Sequence, residues 1–314
     1  MMLFRSRKET RRIQVEDALK HIYNHQYANE CTRQDCLAQA LGLNSREIGR
    51  LLKELQEKEL LEIQGENFKL TPAGEEWALQ VIRAHRLWER FLADETDIPL
   101  HKVHGHAEKR EHKMTREEVD LLDAQLGYPQ HDPHGDPIPS ARHEMEPPAT
   151  TPLLQWKEGT TALISHVEDE PAEKFSRIIA LGLLPGTPLN VIDSGPEGLL
   201  IQSAGRKFRL PTELVGNISV KPAPETLQEI PAEPLSILNT GEKGKILYLK
   251  SQGLTRRRFM DLGMVPGTLI EVLMPSLFGE PKAYRIRGTT IALRKEQANQ
   301  IFIQKIKESN GTPK

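Results

Sequence analysis

Apolar residues recur in this chain with helical spacing first and with strand spacing later. Val15, Ala18, Leu19, Ile22 and Tyr23 stand at i, i+3, i+4, i+7 and i+8, which predicts one buried face on a first helix. Leu37, Ala38 and Leu41 mark a second helix that Thr32 is placed to cap. After Gly42, the run Asn44-Ser45-Arg46-Glu47 predicts a capping box, opening a third helix that buries Ile48, Leu51, Leu52 and Leu55. Leu60–Ile63, a Gly65-Glu66-Asn67 turn and Phe68–Leu70 then read as a two-stranded hairpin. Two helices, a glycine turn, a helix and a hairpin is the order of a winged helix-turn-helix. Thr71 (cap) and Pro72 (first turn) open a long helix to about residue 93. A helix near 102–112 follows, and another runs from the Thr115–Glu118 capping box to Gly127.

Beyond that point the period changes. Seven prolines between residues 129 and 152 exclude a helix or central strand there, and KPAPETLQEIPAEP (221–234) makes a second break. The two segments after these breaks are copies of one another. Arg177, Leu181, Gly182, Pro185, Gly186 and Thr187 recur 81 positions later as Arg258, Leu262, Gly263, Pro266, Gly267 and Thr268. The shared LG-x-x-PGT turn precedes alternating runs such as Leu189–Val191–Asp193 and Ile270–Val272–Met274, so each copy is expected to form a small antiparallel barrel, with Leu181 or Leu262 filling it. The fold class expected is multidomain α+β. It comprises a winged helix-turn-helix (1–70), an all-α domain (71–140), a proline-rich linker (141–155) and two tandem small β-barrels (156–222 and 235–308).

Composition narrows the function. Net charge −2, with 42 basic and 44 acidic residues, excludes a generally basic coat, and residues 1–75 balance at 12 of each. No apolar run reaches the roughly 18–20 residues of a membrane span, so a cytoplasmic protein without membrane insertion is expected. Two cysteines, Cys31 and Cys36, exclude a disulfide framework and give only a weak zinc signal.

Histidine is the informative residue, with His101, His104, His106 and His112 inside one twelve-residue stretch. His85 and Glu89 stand at i, i+4 on the long helix, and His104, Glu108, Glu111 and His112 share one face of the next; Asp17 adds a carboxylate on the first helix. Imidazole and carboxylate together suit first-row divalent ions of intermediate hardness.

The run HRLWERFL (85–92), Lys102-Val103-His104, Glu111-His112 and the PHGDPIP segment (133–139) resembles the diphtheria-toxin-repressor family of metal-dependent transcriptional regulators. That resemblance implies a DNA-binding winged helix, a homodimer, and two metal sites: His85, Glu89 and His104 in one, Asp17, Glu108, Glu111 and His112 in the other. Glu108 and Asp17 stand where iron-type members carry sulfur ligands, which resembles the manganese branch, whereas Lys20 stands where that branch offers a carboxylate. The repeated segments resemble FeoA domains of ferrous-iron uptake systems, which are protein-interaction modules; they tilt the expected cofactor, Fe²⁺ or Mn²⁺, towards iron despite the hard ligands. Acids just inside the first copy, Glu168, Glu170 and Glu173, lie near where the family recruits further ligands.

For double-stranded operator DNA, Asn44 and Ser45 at the helix start and Arg46 and Arg50 on its outward face are the expected contacts, with Arg5, Arg7, Lys8, Arg11 and Arg12 as a basic tail. His131, His134 and His143 in the proline-rich loop are expected not to bind metal. Dimerisation is expected through residues 71–128, where Leu87, Phe91, Leu92, Val119 and Leu122 exceed what one small helical layer buries. A non-enzymatic regulator of metal-uptake genes is the function expected. A cytoplasmic adaptor of ferrous-iron transport is the alternative, while a metallo-hydrolase lacks a positioned nucleophile.

Overall fold

The structure, a computed structural model, describes residues 7–27, 33–65, 67–145, 150–224, 232–251, 253–275 and 280–306. Arg5 of the basic tail, Cys31, the expected cap Thr32, Glu66 of the hairpin turn, and Pro147 and Pro148 of the proline-rich stretch lie outside the described residues. The chain divides into two compact units. The first holds described residues up to Phe91, His104–Asp132 and 137–145; the second holds Leu92–Val103, Pro133–Asp136 and described residues from 150 onward.

In the first unit, α1 (Arg7–Tyr27), α2 (Gln34–Ala40) and α3 (Ser45–Glu57) precede a hairpin of β1 (Leu61–Gln64) and β2 (Asn67–Leu70). Their apolar faces close one core around Leu19, Ile22, Leu37, Ile48, Leu51 and Leu55. Asn44 caps α3 as expected: its side-chain oxygen accepts from Arg46 N and Glu47 N at 3.0 Å, and Glu47 reciprocates on Asn44 N. Thr71 Oγ1 accepts from Gly74 N at the start of α4 (Pro72–Glu95). Two further helices follow, α5 (Leu100–Glu111) and α6 (Arg116–Gln125), the latter behind the Thr115–Glu118 capping box.

Most of the apolar residues expected to form a dimer surface are covered within the chain instead. Leu87, Val119 and Leu122 are buried within the chain, because α6 returns onto α4 and Arg83 locks it there through Asp120 (2.6 Å) and Asp123 (2.7 Å). Leu121 and Tyr128 are the exposed apolar side chains of this region.

The second unit carries the two copies as β-sheet domains. The first comprises β3 (Thr151–Pro152), β4 (Thr161–Val167), α7 (Ala172–Ala180), β5 (Pro188–Gly195), β6 (Gly198–Ser203), β7 (Arg206–Leu210), α8 (Thr212–Val215) and β8 (Ile218–Pro222). The second repeats the series as β9 (Glu233–Pro234), β10 (Lys243–Leu249), α9 (Gly253–Asp261), β11 (Leu269–Pro275), β12 (Lys282–Ile286), β13 (Thr289–Leu293), α10 (Lys295–Ala298) and β14 (Ile301–Lys305). Both sheets have the same order: β3-β8-β4-β5-β6-β7 and β9-β14-β10-β11-β12-β13.

Neither sheet closes into the expected barrel among the described residues. The outermost strands β3 and β9 are two residues long and end in Pro152 and Pro234, which have no N–H to donate to a further ladder. The repeated turn is structural, as read from sequence: Gly182, Gly186, Gly263 and Gly267 all take φ between 80° and 89°, a region costly for any residue with a Cβ. The leucine expected to fill each core is displaced by two positions. Leu183 and Met264 are fully buried, while Leu181 and Leu262 are half-buried.

The segment Pro133–Asp136 lies along β4: Val167 N donates to His134 O, and the positive-φ Gly135 approaches Ser165 O so closely that a Cβ would stand 2.0 Å from it. His166 faces Asp136 (3.3 Å) and Glu168 (3.8 Å). Burial alone would lower this imidazole, but the two carboxylates outweigh it and raise it to about 10. A folded-state value above the unfolded 6.5 means that the pairing is fully present below about pH 6.5 and is lost as pH rises towards 10. Urea unfolding between pH 6 and 10 should therefore show wild-type stability falling by roughly 1.5–3 kcal/mol. His166→Gln should start lower and give a flatter profile; parallel profiles would contradict the assignment.

Candidate metal centre

α4 and α5 bring together the side chains that sequence spacing grouped. One helical turn separates His85 from Glu89, and α5 presents His104 to the same carboxylate. Glu89 Oε1 lies 3.0 Å from His85 Nε2 and 3.1 Å from His104 Nδ1, and the two rings meet nearly edge-on at 4.8 Å. One donor atom from each of the three residues lies within 4.8 Å of the others, with His85 and Glu89 buried. Two imidazoles and one carboxylate converging on a buried point fit a divalent ion of the Mn²⁺–Fe²⁺ type. His85 turns its other nitrogen to Glu111, whose Oε2 it meets in a very short contact. To ligate an ion His85 must be neutral, and Glu111 on the Nδ1 side favours the tautomer in which Nδ1 carries the proton and Nε2 offers its lone pair.

A second group joins α1 to the end of α5. His112 Nε2 lies 3.1 Å from Asp17 Oδ1 and 3.4 Å from Glu111 Oε1, and these three also have donor atoms within 4.8 Å of one another. Two further residues enter it. Glu16 Oε2 accepts from His112 Nδ1 at 2.7 Å, and Lys20 Nζ donates to both oxygens of Glu111 at 3.0 and 3.2 Å while lying 3.2 Å from His85 Nδ1. Arg12 reaches the backbone oxygen of His112.

Glu108, expected in this second group, stands instead beside the first, with its Oε1 3.6 Å from His104 Nε2 and its side chain half exposed. Residues 104 and 108 are one turn apart on α5, so the carboxylate follows its own helix face to His104 and not towards α1. The sequence reading missed Glu16 because helical periodicity turns it about 100° from Asp17. Only the seating of α1 on α5 brings both to His112.

The charges in this cluster are interdependent. Burial opposes ionisation of Glu111, yet His85 and Lys20 hold its carboxyl down at about 2. Burial likewise works against the His112 cation, but Asp17 and Glu16 lift it to about 9. For His85, burial and Lys20 push down while Glu89 and Glu111 push up, and the carboxylates win. Of the loop histidines, His134 is buried near Asp169 (3.9 Å) with its ring against Phe175, and His143 lies 3.4 Å from Glu76. Glu170 and Glu173 are exposed.

On α3, Ser45, Arg46 and Arg50 are exposed on the face opposite Ile48, Leu51 and Leu52. Asn44 is exposed too, with its side-chain oxygen committed to the helix cap.

Residues 71–140 match the family described as iron dependent repressor, metal binding and dimerisation domain, and residues 151–222 and 233–305 each match the FeoA domain. An iron-dependent repressor, IdeR, of Mycobacterium leprae is 25% identical over 223 residues, covering 66% of this chain and 96% of that protein. An 85-residue stretch is 38% identical to a probable metal transport system membrane protein of Chlamydia trachomatis, covering 27% of this chain but only 19% of that one. Among solved structures, a manganese-dependent transcriptional repressor in complex with manganese superposes with a TM-score of 0.62 at 26% identity, over 67% of this chain and all of that one. A helical N-terminal region, a histidine- and carboxylate-bearing helical segment and C-terminal β-sheet modules thus place the molecule among the repressor-like multidomain proteins. The chain is similar to iron-dependent, or diphtheria-toxin, repressors, and its two C-terminal segments each match the FeoA domain.

Glu111→Gln tests the charge accounting. It leaves the Lys20 ammonium, one-fifth exposed, against a neutral amide, and should lower unfolding free energy by about 3 kcal/mol in urea titration. A loss below ~0.5 kcal/mol would show that Glu111 is not the balancing charge.

Proposed function

We propose that this protein is a metal-dependent DNA-binding transcriptional regulator. It acts as a homodimeric repressor of metal-uptake genes and responds to Fe²⁺ or Mn²⁺. The observation that carries this reading is the convergence of His85 Nε2, Glu89 Oε1 and His104 Nδ1 on one buried point between α4 and α5. The domains proposed are a winged helix-turn-helix (1–70), a metal-binding and dimerisation domain (71–140), a linker (141–155) and two SH3-like FeoA modules (156–222 and 235–308). The residues proposed to hold the ion are His85, Glu89 and His104 with Glu108 at their rim; Asp17, Glu111 and His112 form the second group of cation-site type, which Lys20 ties to α1. Ser45, Arg46 and Arg50, with the cap residue Asn44, are the proposed DNA contacts on the recognition helix.

A bound divalent ion supplies positive charge among carboxylates that otherwise repel. Glu89 and His104 fix the approach of α4 to α5; His85, Glu111 and Lys20 pass that constraint on to α1, the first helix of the DNA-binding fold. In a dimer, this sets two α3 helices to meet major grooves about 34 Å apart. Changing a mostly inactive population to a mostly active one requires a preference of roughly 5.5 kcal/mol for the DNA-competent state. Regulators of this kind act by binding and need no catalytic residue. The adaptor reading draws support from the FeoA copies alone, whereas regulation uses both the helical donors and the exposed face of α3.

The test is titration of Mn²⁺, or Fe²⁺ without oxygen, against binding of the full chain to promoter DNA from its neighbouring genes. His85→Ala should raise the metal midpoint ten-fold or more, about 1.4 kcal/mol. Arg50→Ala should weaken DNA binding at every metal concentration and leave metal affinity of the free protein unchanged. Equal DNA binding by wild type in excess chelator would overturn the proposal.

A further inference from the structure

We infer that Lys20 is a tethered cation that stands in for a second metal ion, so that each chain takes up one divalent ion and not two. This rests on the metal-dependent reading above and deepens it. The Asp17–Glu111–His112 group has the residue types of a cation site, yet its polar atoms are already engaged by the protein. Lys20 Nζ contacts both oxygens of Glu111, at 3.0 and 3.2 Å. His112 directs Nδ1 to Glu16 at 2.7 Å and Nε2 to Asp17 at 3.1 Å, so neither ring nitrogen is left over. An ion entering here would share Glu111 with an ammonium group at hydrogen-bond distance and meet strong like-charge repulsion in a poorly solvated place.

The His85–Glu89–His104 group differs in this respect. His85 Nε2 and His104 Nδ1 both face Glu89 Oε1, at 3.0 and 3.1 Å, and Lys20 meets His85 on its other nitrogen, Nδ1, at 3.2 Å. Glu111 is therefore a positioning residue. It holds His85 in the tautomer that offers Nε2 to an ion, and Lys20 keeps its charge balanced when no ion is near. The lysine also reaches from α1 to α5, a link that a second ion would otherwise have to supply.

Metal stoichiometry decides the matter without reference to DNA. Full-length protein equilibrated with Mn²⁺ at pH 7.5, with bound metal measured by mass spectrometry, should hold one ion per chain. Lys20→Gln and Lys20→Glu should hold two, with affinity at the added site at least ten-fold above anything detectable there in wild type. Glu89→Gln, which leaves Lys20 in place, should hold none and serves if the Lys20 variants do not fold. Two ions in wild type, one ion retained by Glu89→Gln, or one ion in a folded Lys20→Gln would each overturn the inference while leaving the metal-dependent reading intact. No ion in wild type would overturn both.

Discussion

A carboxylate almost wholly removed from water must have its charge matched, and in this molecule that carboxylate is Glu111, 4% exposed. Left alone, such a group would cost many kilocalories per mole to ionise, far more than the few by which a domain is stable. The surrounding side chains answer that constraint. Lys20 comes from α1, His85 from α4 and His112 from the residue after α5, so neutralising one oxygen pair fixes three helices in register. The same demand explains why Glu16 and Asp17 are both drawn to His112: its cation, set against Glu111, needs acceptors on its remaining sides. The network orients the His85 ring, so the donor atom facing Glu89 is set by a partner two contacts away from the putting-in of any ion.

The β-sheet half follows a different rule. Its folding rests on backbone shape at the LG-x-x-PGT turns and on alternating strands, with Phe175 and Phe259 from the short helices filling the cores. No arrangement of donors like that between α4 and α5 recurs within the described part of the second sheet domain. The division of labour is physical: charge chemistry is concentrated on helices, where side chains one turn apart share a face.

The helices, their caps and the hairpin were legible because each has a local signal. Asn44 and Glu47 predict their own reciprocal hydrogen bonds, and the buried set Ile48, Leu51 and Leu55 follows from a period of 3.6. His85 with Glu89 was legible for the same reason. What the spacing could not supply was long-range. Glu108 and Glu111 lie on the same helix face, yet three residues of rise and rotation send one to His104 and the other to Lys20. Glu16 becomes a partner of His112 only through the docking of α1, 96 residues away in sequence. The apolar residues of α4 and α6 were visible as a surplus, but whether they meet each other or a second molecule depends on Arg83 and its two aspartates. Barrel closure depended on edge strands whose length no periodicity marks.

Two copies of one sheet order in a single chain carry a folding hazard. A strand of one copy finds the equivalent partner of the other at the high effective concentration that a short tether imposes. Exchange of strands between repeats is a characteristic failure of such chains. Divergence protects against it: Leu183 answers to Met264 in the two cores, so a swapped strand would meet a hole of the wrong shape. The prolines that end β3 and β9 also deny a foreign strand the next rung. Selection to keep the repeats different is thus as much a condition of this architecture as selection to keep them alike.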